Sequence, residues 1–199
     1  MLVKVGGSLA RAPGALARAA TAVAAAARRR PIVVVPGGGP FADRVRAFDR
    51  EARPSASAAH WMATLAMDQY AYALADAIPD ALVVHDAAGV RAALAARRIP
   101  VLAPARWLLA ADPLPHGWDV TSDSIAAFLA GALDASLLVL LKPASGPVEA
   151  LTDPRFRETL PAGLPVEVLG PDEVDRLEGL VAGRPWVSSR AGRPGGRGG

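Results

Sequence analysis

Of the twenty-two basic residues in this 199-residue chain, only Lys4 and Lys142 are lysines. Each closes an apolar run and opens a glycine-containing loop: MLVK runs into VGGS, and SLLVLLK runs into PASG. Lysine carries a compact charge with three rotatable donors, whereas arginine presents a wide planar fork. A tight pocket around a transferring phosphoryl group suits the compact charge. The plain alternative is that two cations fall at strand ends by chance.

Two glycine runs supply a second signal, Gly6-Gly7-Ser8 and Gly37-Gly38-Gly39. Between a parallel strand and a helix, such a loop binds anions, because bare backbone N–H groups can approach a phosphate and the helix dipole attracts it. Neither run matches the P-loop or the Rossmann fingerprint. A single glycine run is more simply a tight turn; two of them, one beside a lysine, favour phosphate. The third signal is Trp118-Asp119-Val120-Thr121-Ser122-Asp123-Ser124. A helix starting between the two aspartates puts Asp123 in its first turn and Asp119 in the loop before it. Carboxylates there could hold lysines, Mg²⁺ or a substrate hydroxyl, or simply cap the helix.

These residues need elements to position them. The pattern strand, glycine loop, helix occurs twice in the first fifty residues and predicts parallel α/β architecture. Leu2–Val5 and the β-branched run Ile32–Val35 read as buried strands. The Ala-rich segment from Pro13 to Arg29 reads as a helix with cations in its last turn, and a second helix covers Phe41–Arg50. The segment Pro54-Ser55-Ala56-Ser57 caps a long helix through Ile78. Ala81–His85 and Ile99–Leu102 read as strands around a helix over Ala87–Arg97. Residues 103–120, rich in Pro and Trp, read as an irregular functional loop. A helix capped by Thr121 or Ser122 then runs to Leu133. Ser136–Leu141 and Pro165–Leu169 are strands, Asp172–Val181 a helix, and Trp186-Val187 an edge strand. The expectation is one domain over residues 1–189 and a disordered Arg/Gly/Pro tail over 190–199.

Composition narrows the function classes. The chain has no cysteine, which excludes disulfides, thiolate metal sites and a Cys nucleophile and suits a reducing cytoplasm. The arginines are mostly scattered among Asp and Glu without aromatic–basic runs, which argues against nucleic-acid binding. The most apolar stretch, Ile125–Leu141, is short and broken by Asp134, so no membrane span is expected. The basic N-terminus superficially resembles a transit peptide, but MLVKVGGS reads as a buried strand of the mature protein.

Taken together, KVGGS, VVVPGGGP and WDVTSDSIAAFLA before LLVLLK resemble the amino acid kinase superfamily, in order and spacing over about residues 1–170. The segments LPHGWDVTSDSIAA and AAHWMATLAMDQYAYALA are most similar to the kinases of methanofuran biosynthesis, which act on an aminomethylfuran phosphate. The resemblance implies a three-layer αβα sandwich on a mainly parallel sheet, the carbamate kinase-like fold. It implies ATP and Mg²⁺ as cofactors, a small-molecule phosphate as acceptor and a homo-oligomer in the cytoplasm. By the same resemblance Lys4, Gly6, Gly7 and Ser8 bind the β- and γ-phosphates, and Gly37, Gly38 and Gly39 cradle the acceptor. Asp123 organises the catalytic lysines, Asp119 is its polar companion, and Lys142 with Gly146 opens the nucleotide loop. Two features depart from the pattern: Ala144-Ser145-Gly146 stands where relatives carry Val-Asp-Gly, and the usual final strand with its Gly-Thr pair is missing. They keep open another acceptor, such as isopentenyl phosphate, a nucleotide or an amino-acid carboxylate, or a non-catalytic regulator.

His60 in the long helix and His116 in the loop are candidates to touch substrate, with ordinary packing as the alternative. Met62, Leu65, Ala66 and Tyr70 follow helical spacing and read as core or subunit interface. Trp107 and Trp118 bracket the irregular segment, as loop anchors or as an aromatic wall for a furan ring.

Overall fold

The computed structural model describes residues 1–11 and 13–182. Six strands form one sheet: β1 (Leu2–Val5), β2 (Val33–Pro36), β3 (Ala81–Val84), β4 (Ile99–Leu102), β5 (Leu138–Leu141) and β6 (Val166–Leu169). Their order is β3-β4-β2-β1-β5-β6, and every pairing is parallel. Strands β1, β2, β4 and β5 are buried throughout. Helices on both faces bury both sets of side chains, hence the unbroken Val/Leu/Ile runs in place of alternation. Each such side chain removed from water contributes about 1.5–3 kcal/mol.

The helices are α1 (Ala15–Ala27), α2 (Gly39–Ala52), α3 (Ala56–Ala77), α4 (Ala87–Ala95), α5 (Ala105–Ala111), α6 (Ser122–Ala132), two single turns α7 (Val148–Leu151) and α8 (Phe156–Thr159), and α9 (Arg176–Ala182). A 3₁₀ turn, Gly7–Arg11, follows β1. Local chemistry sets their ends. Ser55 Oγ accepts from Ala58 N to start α3, and Asp86 Oδ1 accepts from Gly89 N to start α4. Pro40 occupies the first turn of α2, where its missing N–H costs nothing. Thirteen residues of α1 contain nine alanines, the strongest helix former and one that lets the helix lie close on the sheet.

One apolar cluster joins α1 and α9 to Val3, Val5, Val34, Val139 and Leu141 on one face of the sheet. A second joins α4 and α6 to Leu2, Val33, Val35, Leu138 and Leu140 on the other. The result is the expected αβα sandwich. The single turns α7 and α8 have no counterpart in the sequence reading, and the other boundaries fall within a few residues of it except in two places. Residues 105–111 of the segment read as irregular form α5, started behind Pro104 and anchored where Asp68 accepts from Ala105 N. The last helix begins at Arg176, not Asp172. The strand expected at Trp186-Val187, the end of the expected domain and the tail lie outside the described residues. Tyr70 and Ala66 are buried core, whereas Leu65 faces outward and Met62 is only partly covered.

Candidate active site

The alternation of a strand places the two lysines together. Lys4 is in register with Leu140 across the β1–β5 pair, and Lys142 lies two residues beyond Leu140. Side chains two apart share a face, so both lysines project at the carboxyl end of the sheet on the α6 side. Thr121 starts α6, its hydroxyl accepting from Asp123 N at 3.4 Å, and the first turn brings Asp123 down between the lysines. Lys4 Nζ stands 2.8 Å from Asp123 Oδ1, and Lys142 Nζ stands 2.6 Å from Oδ2. All three residues are at least nine-tenths buried.

Burial by itself would raise the Asp123 pKa, but Lys4 and Lys142 together hold its carboxyl below the ordinary aspartate value. For Lys142, burial and then the nearby Lys4 push the ammonium below the ordinary lysine value, and Asp123 opposes them only in part. Two cations therefore share one anion in a nearly dry place. A further anion would relieve that excess charge.

The site opens into a cavity of about 220 Å³. Lys4, Lys142 and Asp123 form part of its wall, with Gly7 and Ser8 from the first glycine run and Gly38 and Gly39 from the second. Arg11 and Arg46 add charge at the rim, and both pair with Asp43. Arg46 also lies over the Trp118 ring at 4.9 Å, while Trp118 Nε1 donates to Asp49 at 2.9 Å. Among the described residues four cations face two carboxylates around this space, an excess of positive charge that suits an anion. β1 is where the strand order reverses, with β2 on one side and β5 on the other, and carboxyl-end crevices at such points are where parallel sheets bind ligands.

The glycine runs also have a packing reason that sequence alone did not reveal. A Cβ on Gly7 would lie 2.2 Å from Gly39 N and 2.5 Å from Gly39 Cα. Gly39 itself has φ +56°, with the Tyr70 ring against it. The loops after β1 and β2 thus touch backbone to backbone. Gly7→Ala is expected to cost about 1–3 kcal/mol, read as a lower denaturation midpoint. Gly146→Ala should cost little, because its Cβ would meet only the flexible Leu151 side chain, Cδ1 at 3.3 Å and Cγ at 3.8 Å.

Several expected site residues are not at this cavity. Gly6, Gly37 and Gly146 do not line it. Asp119 turns away and pairs with Arg155 Nε at 2.8 Å, which holds its carboxyl below the ordinary range. His60 does line the cavity. Its ring stacks on His116 at 4.6 Å and meets the edge of Trp61 at 5.0 Å. Burial, then His116, lowers its pKa against the pull of Asp112, leaving a neutral imidazole at neutral pH. His116 is not at the cavity; it is held by Ser57 Oγ at 2.7 Å and Asp112 Oδ1 at 2.8 Å. Trp118 forms cavity wall, whereas Trp107 packs against the core.

Asp153 escaped the sequence reading. Its Oδ2 accepts from Thr121 N, Thr121 Oγ1 and Ser124 N at 2.7–3.0 Å, and its Oδ1 from Ser124 Oγ. It fixes the start of α6, and so the height of Asp123. Asp-Pro marks a turn, but nothing local ties residue 153 to residue 121.

A model of the amino acid kinase family matches residues 1–146. The chain belongs to the amino acid kinase family. It is 30% identical over 145 residues to the [5-(aminomethyl)furan-3-yl]methyl phosphate kinase of Methanocaldococcus jannaschii, a match covering 73% of this chain and 66% of that relative. The fold agrees with the uridylate kinase of Archaeoglobus fulgidus, at TM-score 0.57 and 22% identity, over 77% of this chain and 68% of that one. It agrees likewise with the UMP kinase of Ureaplasma parvum, at TM-score 0.55 and 15% identity over 76% and 72%. No helix among the described residues is long and apolar enough to cross a membrane.

No group of three or more His, Asp or Glu side chains among the described residues is placed to hold a metal ion. Asp123 commits both oxygens to lysines, and Asp119 and Asp43 are paired with arginines. These carboxylates do not form a protein-held Mg²⁺ site.

Proposed function

We propose that the chain is an ATP-dependent kinase that transfers the γ-phosphoryl group to a phosphate monoester, [5-(aminomethyl)furan-3-yl]methyl phosphate, giving the diphosphate and ADP. The observation that carries this reading is the buried Lys4–Asp123–Lys142 cluster opening onto the glycine loops. Its substrate comes from the 30% identical relative.

An oxygen of the acceptor phosphate attacks the γ-phosphorus in line, and the bond to the bridging oxygen of ADP breaks. That acceptor oxygen is already anionic, so little general-base help is needed. The main barrier is bringing several negative charges together. Lys4 and Lys142 lower that repulsion, pre-positioned by Asp123 so that no reorganisation is needed during transfer. Gly7, Ser8, Gly38 and Gly39 leave backbone free to approach phosphate oxygens, Arg11 and Arg46 attract the anions, and neutral His60 offers a hydrogen bond to the acceptor. A cavity of about 220 Å³ takes the reacting phosphates but not a whole nucleotide, so adenine and ribose lie outside it. Any Mg²⁺ would arrive on the nucleotide's phosphates, the usual habit of that ion.

The test is incubation of folded protein with ATP, Mg²⁺ and the aminomethylfuran phosphate, followed by phosphorus NMR. A new diphosphate and stoichiometric ADP are expected; no turnover would remove this acceptor. A panel with isopentenyl phosphate, nucleotides and amino acids separates other acceptors, because a carboxylate product yields hydroxamate on trapping.

The depressed Lys142 also predicts a pH dependence. As pH rises through its lowered pKa the ammonium loses its proton, and the phosphates lose a counter-charge. The alkaline limb of kcat/KM should fall below the ordinary lysine value of 10.5. Lys142→Arg, which stays charged, should remove that limb from whatever activity remains.

A further inference from the structure

The kinase reading uses only the carboxyl end of the sheet. At the amino end, a larger cavity of about 630 Å³ lies between the last turns of α1 and α4 and the entries to β2 and β4. Among the described residues five arginines line it, Arg28, Arg29, Arg30, Arg97 and Arg98, against a single carboxylate, Asp80.

Helix C-termini favour cations, and part of this charge has that structural use. Arg98 donates to the carbonyls of Asp80 and Ala81 at 2.8 and 3.1 Å, tying the ends of the β3–β4 pair. Arg29 Nε pairs with Glu178 at 2.6 Å. Arg28 and Arg97 are different. Both are exposed, and the side chain of neither makes a hydrogen bond or ion pair with another described residue. Arg97 moreover has φ 56°, a conformation for which glycine or asparagine is the inexpensive choice after a helix.

We propose that this cavity is a second ligand site, for a small polyanion carrying two or more phosphate groups, gripped by Arg28 and Arg97. The guanidinium fork pairs with phosphate through two parallel hydrogen bonds. The volume falls within the ordinary range of small-molecule sites, about 300–1,000 Å³. The walls between the arginines are apolar, from Ala24, Ala27, Ile32, Leu94 and Ile99, and suit a compact carbon skeleton below the phosphates. A nucleic-acid strand fits less well, because no aromatic side chain among the described residues lines the cavity to stack a base.

The test is calorimetric titration of inorganic tripolyphosphate into the full chain. Two binding events are expected for the natural sequence. The double variant Arg28→Gln/Arg97→Gln should retain one event and weaken the other at least tenfold, with an unchanged melting temperature, since neither side chain holds the fold. Lys4→Ala should instead remove the event at the carboxyl end. Failure of the kinase reading would leave the event that depends on Arg28 and Arg97 in place. The proposal is overturned if the double variant binds with the stoichiometry and affinity of the natural chain. It is equally overturned if single-stranded oligonucleotides displace the probe with affinity that grows with their length, the mark of a nucleic-acid track.

Discussion

Asp123→Asn should be the most damaging single change in this protein. The amide keeps the shape of the carboxylate but removes the one negative charge between two buried ammonium groups, 2.8 and 2.6 Å away. Breaking a buried ion pair from one side costs about 3–5 kcal/mol, because the partner is left uncompensated; here two partners are left. The expected result is a large fall in the urea midpoint at neutral pH. Turnover in what remains folded should fall at least about a hundredfold, since repelling lysines no longer stand pre-positioned. The pH dependence has a definite sign. Asp123 has a folded pKa below its unfolded value of 3.8, so its contribution is fully present well above 3.8 and is lost as pH falls through the lower, folded value. The stability gap between natural chain and variant should therefore be widest near neutrality and close in acid. A gap independent of pH would contradict the charge argument.

Lys4→Ala separates chemistry from folding more cleanly. Lys142 still pairs with Asp123 in that variant, so the carboxylate keeps one counter-ion and the sheet keeps its register. In the proposed mechanism the ammonium lost is one that meets the growing charge on the transferring group. Removing one such preorganised donor costs about a hundred- to a thousandfold in kcat, with a much smaller change in KM. Lys4→Arg should not restore activity, because the planar fork needs more width than this buried position offers. Circular dichroism and the melting curve establish that the variant is folded; near-normal kcat in a folded Lys4→Ala chain would refute the proposed role.

His60 and Asp119 mark the difference between recognising a residue and locating it. Both were candidates on type and neighbourhood. His60 reached the cavity because the N-terminal half of α3 lines it, with Thr64 and Met67 in the same wall, while Asp119, four residues before Asp123, pairs with Arg155. An ion pair with a residue thirty-six positions away leaves no trace in local spacing.

The family followed from the resemblance of motifs; beyond that, the sequence alone determined the alternation of strand and helix, the parallel sheet, and the residue types of the proposed phosphate-binding elements. Those depend on periods of about two and three to four residues and on glycine and proline at element ends, all of which are local. It also marked Lys4 and Lys142 as unusual, but left them as two separate facts. Only the tertiary structure made them one unit, because the β1–β5 register and the height of α6, pinned by Asp153, decide whether Asp123 meets both. The glycine runs changed meaning in the same way, since contact between the loops after β1 and β2 excludes a Cβ at Gly7. The second basic cavity belongs to this class as well: Arg28 and Arg97 lie just past the ends of different helices, and only the sheet between those helices brings their ends to one cavity.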